Sequence, residues 1–224
     1  MPAYNEEENL AWVLPLLLEH LDRLARPFEI VVIDDGSRDR TAEVVQEVAL
    51  GRPEVRLERH ARNMGPGSGI PTGLRVARGE YAVFVPADLA IEPEDLLRRI
   101  QAGPGWDVVV GIRSDRRDYT LARKFVSHVN VFLLRLLFGL RLRQFNYLHL
   151  YRRAIFERIW PETHGVFLTA EVLVKARDAG MAIREFEARY VPRTHGQATC
   201  GNSRVILRTV RDLLRFWAKW ALGW

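Results

Sequence analysis

The run Phe28-Glu-Ile-Val-Val-Ile33, followed at once by Asp34-Asp35-Gly36-Ser37, limits what this chain can fold into more than any other feature. A short β-branched run of this kind makes a buried strand, and the acids and glycine that end it make a loop at the strand's carboxyl end. Apolar residues at helical spacing precede it from Leu10 to Leu24 and follow it from Arg40 to Leu50. The alternation continues. Val55 to Glu58 reads as a strand, Ile70 to Ala77 as a helix, Tyr81 to Val85 as a buried strand, the segment opening at Glu92-Pro93 as a helix, and Trp106 to Arg113 as a strand. Such a rhythm predicts an α/β fold with a mostly parallel sheet flanked by helices. In sheets of this type ligands sit beyond the carboxyl ends of the strands, which is where Asp34, Asp35 and Asp88 fall. After Arg113 the pattern changes. Ser114 to Leu140 is polar and basic and then strongly apolar, helices are expected over Tyr151–Ile159 and Thr169–Ala179, and a strand over Ile183–Tyr190.

With 224 residues, 48% of them hydrophobic and 27% charged, the chain suits one large α/β domain. A formal charge of +5 points to an anionic partner: nucleic acid, lipid headgroups or a phosphorylated small molecule. Cys200 is the only cysteine, which excludes an internal disulfide and a cysteine-rich zinc site and fits a reducing compartment. No basic-then-apolar leader opens the sequence, and no uncharged apolar run reaches the roughly 18 residues of a membrane span. A cytoplasmic location is therefore expected.

Four segments carry candidate chemistry. In Pro2-Ala3-Tyr4-Asn5-Glu6-Glu7-Glu8-Asn9, a tyrosine ring can stack on a base and a carboxylate can hold a ribose hydroxyl, although an acidic first helical turn has the same composition. In Ile33 to Thr41, Asp34 or Asp35 can accept from a base's ring N–H, while Asp39 and Thr41 suit the cap of the next helix. The glycine-rich Asn63-Met-Gly65-Pro-Gly67-Ser-Gly69-Ile-Pro71-Thr-Gly73 imitates a dinucleotide fingerprint. Pro66 between the glycines, and a position after the first βα unit, argue instead for close backbone packing. Finally, Asp88 follows a strand in Val85-Pro86-Ala87-Asp88-Leu89-Ala90 and can offer oxygen to a divalent cation, or merely cap the following helix.

Taken in order, Pro-Ala-Tyr-Asn-Glu-Glu-Glu-Asn, Val-Ile-Asp-Asp-Gly-Ser-x-Asp-x-Thr, Asn63-x-Gly65-x-Gly67, Gly73 and Ala77-Arg-Gly79 resemble the family-2 glycosyltransferases, in particular their dolichol-phosphate mannosyltransferase-like branch. The resemblance covers about residues 1–200 and is tightest up to Arg113. It implies a GT-A nucleotide-diphospho-sugar transferase fold, a nucleoside-diphosphate sugar as donor and a polyprenyl phosphate or related lipid-linked acceptor. By its pattern Pro2, Tyr4, Glu6, Ile33 and Asp35 hold the nucleotide, Arg113 and Arg193 the donor phosphates, and Arg123 the acceptor phosphate. Glu171 faces the sugar or acceptor, or else serves as a helix-dipole partner at an apolar helix start. Asp88 and Glu171 are the candidate catalytic carboxylates, either of which would take the proton of a hydroxyl acceptor. Asp88 stands in the family's Asp-Ala-Asp-x-Gln motif, whose carboxylates bind Mg²⁺ or Mn²⁺ across the diphosphate. This sequence departs from that motif at Pro86 and Ala90, and Thr199 replaces the lysine that completes a clamp with Arg193. His195 in the same loop is a weaker candidate.

The family's apolar first strand normally precedes Pro-Ala-Tyr-Asn, and here Met1 stands where it ends. The expected fold therefore lacks its first strand, either because the start lies upstream or because the strand has been lost. Val129 to Leu140 reads as a core helix or a membrane-facing one. Arg204 to Trp224 sets Arg204, Arg208, Arg211, Arg215 and Lys219 beside Trp217, Trp220 and Trp224, the make-up of a basic interfacial helix. Following the last motif, residues 201–224 are expected as a basic amphipathic helix that docks the domain on the inner face of a membrane, or else as a helix that packs its apolar stripe onto the domain. Two rivals stand beside the transferase: a non-catalytic nucleotide-sugar binder, suggested by the altered motif, and a nucleic-acid module, disfavoured because zinc spacing and paired aromatics are lacking.

Overall fold

The computed structural model describes residues 1–65, 67–89, 91–113, 121–145, 148–163, 165–188 and 203–223. Their elements are β1 (Pro2–Ala3), α1 (Glu7–Leu21), β2 (Ile30–Asp34), α2 (Thr41–Gly51), β3 (Val55–Arg59), α3 (Gly69–Val76), β4 (Tyr81–Val83), α4 (Pro93–Gln101), β5 (Val108–Arg113), α5 (Leu121–Phe138), β6 (His149–Arg152), a 3₁₀ turn (Arg153–Glu157), α6 (Leu168–Asp178), β7 (Ile183–Ala188) and α7 (Ser203–Ala221). The α/β alternation expected from the sequence is present.

β1, β2 and β3 form a parallel sheet in that order, with Ala3 opposite Asp34 and Ile30–Asp34 opposite Val55–Arg59. Of the first strand, expected to be lacking, the structure has the short pairing of Pro2–Ala3 with β2. Met1 extends it, donating to Val31 O (2.8 Å) and accepting from Ile33 N–H (2.8 Å). The second sheet, in the order β4-β6-β5-β7, is mixed, because β6 runs antiparallel to both neighbours while β7 runs parallel to β5. The helix expected over Tyr151–Ile159 is a misreading: His149–Arg152 forms a strand and only a 3₁₀ turn follows. Strand geometry wins because β6 fills the slot between β4 and β5, burying His149, Leu150 and Tyr151.

Two apolar clusters make the core. One joins α1 to the first sheet and to Val85, Ala87, Leu89 and Leu148. The other gathers β5, α6 and the inner faces of α5 and α7 around Phe138, Phe167, Leu213 and Phe216. One stripe of α7 thus packs onto the domain as part of the core, the alternative to a purely interfacial helix. Phe138 meets Phe216 at a tilt (5.6 Å between centroids) and Trp220 edge-on (5.5 Å), and the Trp220 indole donates to Asp178 Oδ2 (2.6 Å).

His149 gives the core a pH response. Burial, helped by the nearby Arg99 guanidinium, lowers its imidazole from 6.5 to about 4, against the Phe145 carbonyl that accepts from its ring (2.9 Å). The unfolded chain therefore takes up this proton first as pH falls. Stability contributed by His149 is complete above pH 6.5 and is lost towards pH 4, by up to about 3 kcal/mol. Urea melts between pH 7 and 4 should show a steeper acid loss in the wild type than in His149→Phe; parallel curves would remove His149 from the pH response.

Candidate active site

Beyond the carboxyl ends of β1 and β2, two motif loops satisfy each other's backbone. Ser37 Oγ accepts from Asn5 N–H (2.9 Å), Thr41 Oγ1 from Glu6 N–H (2.8 Å) and Asp39 Oδ2 from Glu7 N–H (3.2 Å). In return Asn5 Oδ1 accepts from Arg38 N–H (2.9 Å) and Glu7 Oε2 from Arg40 N–H (2.9 Å). The unpaired amides that open α1 and α2 thereby find partners across the gap between the helices. Asp39 does hold Thr41 N–H (3.0 Å) at the start of α2, as expected of a cap, but the Thr41 hydroxyl serves α1 instead. Much of both motifs is therefore spent on locking the loops together. Asn5 adopts φ +54°, a left-handed backbone that asparagine tolerates better than most residues.

The adjacent acids divide their work. Asp34, fully buried, accepts from Ser37 N–H (2.8 Å) and pairs with Arg59 Nε at 3.0 Å. Asp35, 6% exposed, gathers the loop after β3: His60 Nδ1 at 2.7 Å and Met64 N–H at 3.0 Å on Oδ1, Gly65 N–H at 3.0 Å on Oδ2. Gly36 permits this closeness. Its φ is +71°, and a Cβ there would lie 2.6 Å from the Arg62 carbonyl carbon.

Tyr4, 40% exposed, follows Ala3, whose carbonyl accepts from Asp35 N–H (2.8 Å), so ring and carboxylate share one strand end. Glu6 accepts from Asn9 Nδ2 (2.6 Å). Pro2 and Ile33 both lie against α3. Ile33 is fully buried under α3, where a Cβ on Gly69 would sit 2.8 Å from Pro2 Cβ and 3.5 Å from Ile33 Cβ. The Ile33 side chain forms the floor beneath the loops. Asp88 stands in a turn closed by Leu89 N–H to Pro86 O (3.1 Å), and its neighbours Ala87 and Leu89 are buried in the same cluster as Ala3. Leu89 has φ +43°, costly for a bulky residue and of the kind that collects at functional sites.

Residues 1–160 match the family model described as Glycosyl transferase family 2. The chain belongs to glycosyltransferase family 2. Relatives include undecaprenyl-phosphate 4-deoxy-4-formamido-L-arabinose transferases of Pseudomonas paraeruginosa (strain DSM 24068 / PA7), 37% identical over 211 residues covering 92% of this chain and 60% of the relative, and of Edwardsiella ictaluri (strain 93-146), 29% identical over 92% of this chain and 63% of the relative. The chain thus spans less than two thirds of the length of these curated relatives. Among solved structures, glucosyl-3-phosphoglycerate synthase from Mycobacterium tuberculosis in complex with phosphoglyceric acid superposes with TM-score 0.74 at 19% identity, over 97% of this chain and 78% of that one. The same enzyme in complex with Mn²⁺, UDP-glucose and phosphoglyceric acid gives TM-score 0.72 at 18% identity, over 97% and 78%. The fold is that of the GT-A glycosyltransferases.

For a family-2 site the donor set around Asp88 is sparse. No group of three or more His, Cys, Asp and Glu side chains comes together among the described residues. A hard cation bound by one carboxylate, with substrate phosphates and water completing its oxygen shell, needs no such group, so Asp88 fits a single-carboxylate site. Arg113 ends β5 with its side chain buried and its backbone clamped by Gln144, which accepts from Arg113 N–H (3.0 Å) and donates to Arg113 O (2.9 Å). Arg193, His195, Thr199 and the side chain of Arg123 lie outside the described residues.

Glu171 departs from its expected place facing sugar or acceptor. It is fully buried on the first turn of α6, accepting from Glu162 N–H (2.6 Å), Thr163 N–H (2.9 Å) and the Thr163 hydroxyl (2.6 Å), and pairing with Lys175 at 2.7 Å. A carboxylate so committed is a poor proton acceptor for substrate; it fixes the 162–163 turn. Conversely, His60 escaped the sequence reading, since nothing in Arg59-His60-Ala61 marks a histidine that the fold carries to Asp35.

Proposed function

We propose that this chain transfers a sugar from a nucleoside-diphosphate sugar to a polyprenyl phosphate, with inversion, while resting on a membrane surface. The observation that carries the reading is 37% identity, over 92% of the chain, to a transferase named for undecaprenyl phosphate. Tyr4 and Asp35 supply a stacking ring and an acceptor for the donor's base, and Glu6 lies beside them. Arg113 and Arg193 are assigned to the donor phosphates and Arg123 to the acceptor phosphate. Asp88 would hold Mg²⁺ or Mn²⁺, which when bound neutralises charge on the departing diphosphate.

The acceptor explains why no buried base is needed. A phosphate oxygen is already anionic at neutral pH. It attacks the anomeric carbon as the bond from that carbon to the β-phosphate oxygen breaks, and the nucleoside diphosphate departs with the electron pair. Orientation and charge neutralisation by the arginines then carry the rate. The structural commitment of Glu171 agrees with that chemistry; a hydroxyl acceptor would leave its proton to Asp88.

Membrane contact is assigned to α5 and α7. No helix among the described residues is long and apolar enough to cross a bilayer. Yet α5 exposes Phe125, Val129, Phe132 and Leu136 along one stripe, and α7 exposes Leu207, Val210, Leu214 and Trp217 along another, beside Arg208, Arg211 and Arg215. Anionic headgroups suit that pairing of apolar and basic side chains. The test is transfer itself: labelled nucleotide sugars of several bases and sugars, offered with undecaprenyl phosphate in vesicles, should give a lipid-linked sugar of inverted anomeric configuration by NMR. Nucleotide-sugar binding without transfer to any acceptor would favour a non-catalytic binder.

A further inference from the structure

We propose that His60 determines which nucleobases the site accepts, by holding the Asp35 carboxylate in one orientation as a hydrogen-bond acceptor. The inference rests on the donor-site reading above. His60 follows β3, its N–H donating to Asp34 O (2.9 Å), and its side chain is mostly buried. The ring spans two elements: Nδ1 lies 2.7 Å from Asp35 Oδ1 and Nε2 lies 2.9 Å from the Thr72 hydroxyl on α3. Facing a carboxylate, Nδ1 must carry the proton. In the neutral ring Nε2 is then bare and accepts from Thr72 Oγ–H, so the two partners fix the tautomer and the ring plane together.

A carboxylate has about four acceptor sites. His60 and Met64 N–H (3.0 Å) fill Oδ1, and Gly65 N–H takes one site on Oδ2, to which Met64 N–H also makes a longer contact of 3.2 Å. The remaining neighbour is Ser68, whose single hydroxyl proton has a choice between Gly65 O at 2.7 Å and Asp35 Oδ1 at 3.2 Å. The shorter contact takes it, which leaves one acceptor site on Asp35. Ringed by donors, this carboxylate can only accept, and a base must therefore present a donor to it. Uracil and guanine carry a ring N–H on their pairing edge; cytosine and adenine offer a donor there only on the exocyclic amino group, beside a bare ring nitrogen whose lone pair a carboxylate repels. The geometry thus selects uracil-type or guanine-type donors, and His60 enforces the choice because it prevents the carboxylate from rotating to share its oxygens differently.

Calorimetric titration of the full chain with UDP, GDP, CDP and ADP, alongside melting temperatures, tests this. The wild type should bind UDP or GDP at least about tenfold more tightly than CDP and ADP, the scale set by one hydrogen bond to a charged group. His60→Ala should bring the four affinities together. His60→Asn, whose amide can still donate to Asp35, should keep the preference, and Thr72→Val, which frees only the far side of the ring, should weaken it partway without unfolding. A wild-type preference for CDP or ADP, an undiminished preference in His60→Ala, or an Asn variant that behaves as the Ala variant does would each overturn the proposal. Failure of the wild type to bind any of the four would instead bring down the donor-site reading, and this inference with it.

Discussion

Truncating Phe216 to alanine is expected to cost about 3–5 kcal/mol of folding stability, and removing residues 203–223 to abolish cooperative folding. Phe216 is 7% exposed and meets Phe138 at 5.6 Å and Phe167 at 5.7 Å, with Leu213 buried beside it. Deletion would also strip Lys219 from Glu162 (2.8 Å) and Trp220 from Asp178. The same helix carries a second apolar stripe that touches solvent: Leu207 is 73% exposed and Leu214 51%. Leu207→Ser with Leu214→Ser should therefore leave the melting temperature almost unmoved while releasing the protein from vesicles containing anionic lipid. Each basic side chain near such a surface contributes about 1 kcal/mol, so binding should also fall with salt. Thermal melts and vesicle co-sedimentation on both variants separate the stripes. A stable Phe216→Ala protein would show α7 to be dispensable, and a double serine variant that sediments like the wild type would reject the docking face.

The contrast within α7 shows where sequence reading succeeds and where it stops. Its basic and aromatic composition is visible at once, but two apolar stripes lie side by side on one helix, and nothing in the sequence says which meets Phe138. The elements around the first sheet were legible because each combines a strong period with a boundary signal, as in Ile30–Asp34 ending at Asp-Gly. β6 was not, since His149-Leu-Tyr-Arg has no alternation of its own and owes its strand to the ladders on either side. At the site the motif acids were found, whereas their uses were not: the sequence puts Asp34 and Asp35 together, and only the fold gives one to Arg59 and the other to His60. Glu171 failed for the related reason that partners eight or nine residues away at Thr163 and Glu162 are invisible before the turn is built.

Asp88→Asn should lower sugar transfer by about a hundredfold or more, the scale of losing one charged group that neutralises a leaving diphosphate, while leaving the protein folded. The substitution keeps size and most hydrogen-bonding capacity, and it changes no apolar contact of Ala87 or Leu89, which seat the turn in the core. What it removes is one negative charge. Where the family motif carries further acids this chain has Pro86 and Ala90, so no neighbouring position in the motif offers a replacement carboxylate. The loss should appear in kcat more than in donor affinity if Asp88 acts as the diphosphate departs, because base and ribose contacts at Tyr4 and Asp35 are untouched. Steady-state kinetics across a Mg²⁺ and Mn²⁺ series, with chelator as the zero point, would show a metal-dependent wild type and a slow variant that metal no longer stimulates. Were both proteins to work at the full wild-type rate in chelator, Asp88 would have no role in catalysis, and the arginines would have to neutralise the diphosphate unaided.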